Sequence, residues 1–406
     1  MVLIPMKTVA ILTTKKLFPP EDGRADIIRK IVEMFDDDPH YTVIVVSLVP
    51  QPPTPVPSFT LLTVESRISY WSVFVSVIRG LPLQVALFSN PGISRAIREQ
   101  LRGAAVDIVV ADMTRTAMIA LRIPAAKRIL DMDDRLSKRY HRQLKEKNSV
   151  VHLGKKPEFL PSFIHKVLPF LQKQILWYET KRMRAYESSI VKEFDWTVLV
   201  SDKEAKELAE QTGCASVVSI PNYVEFSRHE RRTADRPIII FFGNLASAHN
   251  LDGAMYVVKE IFPLIRAEVN EAELWIVGRA IPKEFGSMPA SSGIVVYSDV
   301  EDVSDYLSQA SVCLCPLRYG SGIKTKILEA FAHGIPVVTN WVGAEGIPRA
   351  DECMYIKDTP AEIARQVVAI LDERDGHSEK VKAGYEVLQE YFSKKIVKEK
   401  WQSIFG

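Results

Sequence analysis

"YGSGIKTKILEAFAHGIPVV", residues 319–338, sets a glycine turn, two lysines and a helix-like run directly before an apolar run. It follows "SVCLCPL", residues 311–317, which is hydrophobic on both faces. A run apolar on both faces marks a strand buried inside a parallel sheet. Strand, glycine turn, helix and strand in this order make a βαβ unit, and the unit predicts an α/β fold. Gly320 and Gly322 allow positive φ and let bare backbone approach a ligand. Free N–H groups at the start of the helix, expected over 323–333, favour an anion. Lys324 and Lys326 stand in that first turn, where the dipole disfavours cations, so an anion is expected to fill the site. Glu329, one turn beyond Lys326, is placed to accept from two neighbouring hydroxyls. The plainer alternative is a strand–loop–helix with surface lysines and a Glu–Lys pair.

The same alternation runs through most of the chain. "VAILTT", "TVIVVSLV", "DIVVAD", "KRILDM" and "WTVLVSD" are the candidate strands of the first half. "PIIIFFG", "AELWIVG", "GIVVYS", "SVCLCPL" and "IPVVTN" are those of the second. Residues 219–237 are polar, proline-flanked and without an apolar period, which marks a linker. The reading is an N-terminal domain over 1–218, the linker, a C-terminal domain over 238–388 and a terminal helix over 389–406. Two such halves imply a cleft, with ligands beyond the carboxyl ends of the strands. Gly243 and Asn244 follow one strand, Arg279 another and Arg318 a third; turn glycines and solvated arginines are the bland alternative at each.

Composition sets the outer bounds. The chain has 406 residues, 47% hydrophobic and 25% charged, the balance of a soluble protein large enough for two domains. A net charge of +2 offers no field for nucleic acid. Four cysteines without a CxxC pair point to a reducing, cytoplasmic setting. "MVLIPMKTVAILTT", residues 1–14, lacks a basic n-region and a cleavage site and reads as a first strand. "YWSVFVSVIRGLPLQVALF", residues 70–88, is broken by Arg79, Gly80 and Pro82 and cannot supply a span of about 20 apolar residues. No histidine has a metal-ligand spacing, and no metal or cofactor is expected.

"GSGIKTKILEAFAHGIPVVTNWVGAEGI", residues 320–347, closely resembles the donor-site signature of glycosyltransferase family 4, a family of GT-B enzymes. "VVSIPNYVEF", "FFGNLASAHN", "LWIVGR" and "DVEDVSDYLSQASVCLCPL" resemble its other C-domain segments in the expected order, so the likeness is specific over about 218–350. It implies two Rossmann-like domains facing across a cleft, and transfer of a sugar from a UDP- or GDP-sugar with retained configuration. It also implies a last helix that crosses back to the N-terminal domain. By that resemblance Glu329 holds the ribose, as the second glutamate of an E-x7-E motif. The first glutamate position is Ser321 here, a departure that bears on the donor sugar. The basic residues that bind the diphosphate in many members correspond to Asn244 and Asn250, both uncharged. Arg318, Lys324 and Lys326, with Gly322 between them, are the natural replacements.

In the first half, "LFPPEDGRADIIRKI" resembles the family's glycine loop, which implies donor phosphates near Gly23 and Arg24. "LDMDDRLSKRY" resembles a segment of bacterial polysaccharide sugar transferases. Asp131 falls where many members carry a histidine near the reacting centre, so it is the first choice for a catalytic acid, with Asp134 second and Asp112 third. A helix cap with solvated acids is the alternative. Residues 138–184 hold 12 Lys/Arg against 3 Asp/Glu, interleaved with apolar side chains, and read as a contact with an anionic membrane surface. The expected partners are therefore a nucleotide-sugar, a glycan or lipid-linked acceptor and the inner face of a membrane. A nucleotide-sugar 2-epimerase and a non-catalytic GT-B subunit are the competing readings.

Overall fold

The structure, a computed structural model, describes residues 6–51, 59–64, 69–145, 162–224, 236–286, 292–300, 302–320, 322–372 and 378–406. For residues 145, 162–172 and 284 it describes the backbone alone. The chain divides into two compact units. The first is Met1–Tyr140 with Gln174–Pro221 and Lys398–Gly406; the second is His141–Lys173 with Asn222–Val397.

The first unit is built on a seven-stranded sheet ordered β3-β2-β1-β4-β5-β6-β7. Its strands are β1 (Lys7–Thr13), β2 (Tyr41–Ser47), β3 (Thr60–Thr63), β4 (Ile108–Asp112), β5 (Lys127–Asp133), β6 (Trp196–Leu199) and β7 (Val217–Ser219). The second is built on six strands ordered β10-β9-β8-β11-β12-β13. These are β8 (Ile238–Asn244), β9 (Glu273–Arg279), β10 (Ile294–Ser298), β11 (Val312–Leu314), β12 (Val337–Thr339) and β13 (Tyr355–Ile356). Every pairing in both sheets is parallel. The α/β expectation therefore holds, as two Rossmann-like sheets. All ten predicted strands form; β3, β7 and β13 are additional, and each is a short strand at a sheet edge.

Alternation along β8 shows why the runs had to be apolar on both faces. Ile238, Ile240 and Phe242 join Trp275, Cys313, Cys315 and Val337 under the helices Thr325–Ala332 and Ser378–Tyr391. Ile239 and Phe241 join Leu274, Ile276, Leu314 and Val338 on the opposite face, under the helix Pro360–Leu371. Cys313 and Cys315 are buried free thiols of this strand layer.

In an open parallel sheet the ligand end is the carboxyl side of the switch point, where the strand order reverses. That point lies between β1 and β4 in the first unit and between β8 and β11 in the second.

The last nine residues, 398–406, belong to the first unit. Phe405 stacks on Phe35 with ring centroids 4.6 Å apart, and Trp401 meets the same ring edge-on. Lys7 donates to the Phe405 carbonyl at 2.9 Å and Lys127 to those of Ile404 and Gly406 at 3.0 and 2.7 Å. These cations satisfy carbonyls that a helix C-terminus leaves open. Lys398 and Gln402 both reach Asp38, at 2.9 and 3.1 Å. Burial alone would raise the Asp38 carboxyl, but the His40 backbone N–H and Lys398 outweigh it and bring it down to about 2.

A carboxyl held below its ordinary 3.8 stabilises the fold above that value and loses its contribution as pH falls toward about 2. Asp38→Asn is therefore expected to cost about 2 kcal/mol near neutral pH. Urea unfolding at stepped pH should show that deficit shrinking between about pH 4 and pH 2; a deficit constant over that interval refutes the assignment.

Candidate functional site

The carboxyl ends of the second sheet are stripped of side chains. Gly243 ends β8 at φ +143° and faces Gly278 on β9, at φ +148°. A Cβ at Gly278 would stand 2.0 Å from the Gly243 carbonyl oxygen, so only glycine fits. A Cβ at Gly243 would lie 3.3 Å from both the Lys326 ammonium and the Asn250 amide nitrogen. The turn after β8 is fixed locally: Asn244 Oδ1 accepts from the Ala246 N–H at 2.9 Å, and Asn250 Nδ2 donates back to the Asn244 carbonyl at 2.9 Å.

Into this turn comes Lys326. Its ammonium donates to Asn250 Oδ1 at 2.7 Å and lies 4.5 Å from the centre of the Phe241 ring. The residue is only 8% exposed, and no described carboxylate forms an ion pair with it. Lys324, 6% exposed, is the N-cap residue of the helix Thr325–Ala332 and donates to the Gly322 carbonyl. Gly320 and Gly322 both take positive φ, +150° and +69°. The Lys326 ammonium is thus held under cover near the positive end of a helix without a carboxylate partner among the described residues. That arrangement is costly unless an anion completes it. Glu329 sits half-buried one turn further along the same helix, and Arg279 half-buried at the end of β9.

Two details depend on tertiary contacts that the sequence does not display. Arg318, expected at the anion, is clamped by Asp252 through two bonds of 2.9 and 2.5 Å and lies over the Tyr256 ring at 5.4 Å. Asn340 ties the loop before the glycine turn, donating to the Leu317 carbonyl at 2.7 Å and accepting from its N–H at 3.1 Å. The signal for Asn340 was present only as the last letter of "IPVVTN". Ser321 lies outside the described residues.

The first unit carries a different cluster at its switch point. Arg24, in the first turn of the helix Gly23–Asp36, is buried and meets three carboxylates: Asp112 at 2.9 Å, Asp131 at 2.7 Å and Asp133 at 3.0 Å. Thr13, ending β1, donates to the other Asp112 oxygen at 2.6 Å. The guanidinium is therefore ion-paired to three aspartates of its own unit, an arrangement that lends no support to the expected contact with donor phosphates. Gly23 needs no close approach either, for a Cβ there would touch nothing within 4 Å.

Asp131, the first choice for an acid, is almost wholly enclosed, and burial, partly offset by Arg24, raises its carboxyl. Asp134 is buried against Arg139 at 3.2 Å. The Arg135 and Ser137 N–H groups, at the start of the next helix, are taken by Glu204 and Glu187 at 3.0 Å each. The sequence reading passed over Asp133, yet its side chain is the most open of Arg24's three partners, at 21%. Its backbone turns to φ +67°, where the register between β5 and β6 shifts. Burial, then the neighbouring Asp134 and Asp131, raise its carboxyl to about 7 against the pull of Arg24.

Comparison with known proteins agrees with this architecture. Residues 236–373 match the family described as Glycosyl transferases group 1. The crystal structure of TarM superposes with a TM-score of 0.71 at 8% identity, covering 100% of both chains. TarM of S. aureus has also been solved with fondaparinux, α-GlcNAc-glycerol and UDP. WaaG, a glycosyltransferase involved in lipopolysaccharide biosynthesis, superposes at 0.64 with 14% identity over 98% of this chain and 100% of its own. The chain has the GT-B fold, and the match to the group 1 glycosyl transferase model lies within its second unit. An uncharacterized 44.6 kDa protein in the cps region of Klebsiella pneumoniae is 22% identical over 237 residues, 55% of this chain. That match spans 60% of the length of the curated relative.

The glycine requirement separates the two units. Gly278→Ala is expected to destabilise by several kcal/mol, from positive φ and the backbone clash together. Gly23→Ala should leave stability within about 1 kcal/mol of the parent, on the stabilising side. Thermal unfolding of the two variants side by side checks this; an unaffected Gly278→Ala protein would contradict the close approach of β8 and β9.

Proposed function

We propose that the protein is a glycosyltransferase that binds a UDP- or GDP-sugar in its second unit and moves the sugar to a glycan or lipid-linked acceptor. The observation that carries the reading is Lys326: a covered ammonium bonded to one amide oxygen, at a helix start lined by glycines. An ammonium has three donors and no acceptor. A departing diphosphate supplies the missing negative charge, and its charge grows as the sugar leaves. Fixed cations and backbone N–H groups therefore stabilise the transition state more than the ground state.

Support also comes from the position of Asn250. In the resembled family a basic residue there meets the diphosphate; here the Lys326 ammonium is brought to Asn250 itself, 2.7 Å from its side chain. A charge absent from the loop is thus supplied from the neighbouring helix. The UDP held by TarM is the kind of ligand this site fits. Glu329 is assigned to the ribose hydroxyls, and Arg279 to the nucleotide or its phosphates. Retention of anomeric configuration and a hexosyl donor rest on the family resemblance.

On the acceptor side we assign the reacting carboxylate to Asp133 and the positioning to Arg24, Asp112 and Asp131. Asp133 is the partner of Arg24 with side-chain surface to offer. A carboxyl near 7 can take a hydroxyl proton at neutral pH and return it.

A thermal-shift screen of UDP-, GDP-, ADP- and CMP-sugars should find at least one stabilising ligand, and Lys326→Ala should abolish that shift and lower transfer about 100-fold. Lys324→Ala and Glu329→Ala should weaken it. A parent that binds no nucleotide-sugar, or variants that bind like the parent, would sink the assignment.

The pH profile tests the acceptor side. The deprotonated form of Asp133 is the proton acceptor, so kcat/KM should rise with pH through about 7. Asp133→Asn should flatten that limb and lower the plateau by about 100-fold or more. An unchanged limb in Asp133→Asn assigns the proton to another group.

A further inference from the structure

The helix Tyr70–Ile78 is inverted with respect to its own polarity. Its sequence is YWSVFVSVI, yet the residue it buries is Ser76, whose hydroxyl meets that of Ser89 at 2.7 Å. Tyr70, Trp71, Phe74 and Ile78 face solvent instead, with Tyr70 78% and Trp71 73% exposed. At about 100° per residue these four positions fall on one face. The Trp71 and Phe74 rings already lie together, their centroids 5.9 Å apart. Exposed apolar groups gathered in this way mark an interaction surface.

A second helix brings charge to it. In Ser162–Ile190, Lys173, Trp177, Lys181 and Arg184 are all exposed and share one face, with the Lys181 ammonium over the Trp177 ring. The Tyr178 hydroxyl donates to the Val77 carbonyl at 3.3 Å, so this helix lies against the inverted one. Arg182 closes the same junction: a Cβ at Gly80 would lie 2.9 Å from its guanidinium. Arg79, Lys173, Lys181, Arg182 and Arg184 form no ion pair with a described residue. Glu179, the one acid between residues 173 and 184, is buried and accepts from the Leu83 and Gln84 N–H groups at 2.8 and 3.1 Å.

The geometry points to a docking surface for an anionic lipid bilayer, on which the protein lies without spanning. Trp71, Phe74, Tyr70 and Ile78 enter the boundary between headgroups and acyl chains, and the five cations meet lipid phosphates. No described helix is long and apolar enough to cross a membrane. Charge decides against a second copy of this chain as the occupant. A two-fold contact through this face would set five cations against the same five. Apart from Lys173, the last residue of the second unit's first segment, the inference rests on the first unit's surface, and it does not depend on the sugar-transfer reading. It keeps the anionic membrane expected for 138–184, takes four of its cations from 173–184 and adds the apolar face of Tyr70–Ile78; residues 146–161 lie outside the described residues.

Co-sedimentation of the full chain with vesicles of phosphatidylcholine and about one third phosphatidylglycerol tests it. The parent should bind these vesicles, bind pure phosphatidylcholine at least tenfold more weakly, and be released by about 0.5 M salt. Trp71→Ser with Phe74→Ser should lower partitioning at least tenfold while leaving the melting temperature unchanged, since both side chains are exposed. Lys181→Glu with Arg184→Glu should remove the preference for anionic lipid. A parent that ignores anionic vesicles overturns the proposal, as does an aromatic variant that binds like the parent. Concentration-dependent dimerisation in the ultracentrifuge, lost in the aromatic variant, would overturn it in favour of a second copy.

Discussion

A positive charge taken out of water must find a partner, and each of the two sheets places such a charge at its switch point. In the first unit the charge is Arg24, and Asp112, Asp131 and Asp133 neutralise it from within. In the second it is Lys326, and the described residues offer it one amide oxygen and the face of a phenyl ring. Coulomb attraction in a poorly solvated site is strong enough that the second arrangement favours an incoming anion and the first does not. The common fold thus presents two electrostatic situations: one closed on itself with an excess of carboxylate, the other with a covered ammonium that no described carboxylate neutralises.

The side-chain types match that division. Guanidinium groups are rigid forks suited to fixed carboxylates, and both Arg24 and Arg318 are locked in this way, Arg318 on Asp252. The two ammonium groups are compact, with donors that can turn toward a ligand whose oxygens move as its bond breaks. A Lys326→Arg exchange would keep the charge but bring a planar group into a turn where even a Cβ at Gly243 would crowd Nζ at 3.3 Å. Charge alone therefore does not define this position.

The strands were legible because burial on two faces leaves a compositional trace along six or seven letters. The edge strands β3, β7 and β13 left none: four, three and two residues long, with one side open, they look like loops. The lysines of the opening stretch were legible for a related reason, since the glycines, the helix start and the cations are neighbours in the chain. The partners of Arg24 were not legible because they lie about ninety to one hundred and ten residues away, at 112, 131 and 133. Asp133 was passed over because "DMDD" carries no sign of which aspartate turns to positive φ or which keeps its surface. Asn340 and Asp252 likewise act only through tertiary contacts.

The apolar tract 70–88 shows how a correct sequence inference can stop short. Arg79, Gly80 and Pro82 do break it, and the helix ends at Ile78. What the pattern could not display is orientation: the short helix reverses its polarity, with Ser76 turned to Ser89 and the aromatic side left exposed. Burying Trp71, Phe74 and Ile78 would have been worth about 1.5–3 kcal/mol for each side chain. A fold that forgoes this on one face while filling both faces of two sheets is using that face for something other than its own stability. A border of exposed arginines and lysines, on an otherwise nearly neutral chain of net charge +2, gives that surface its sign.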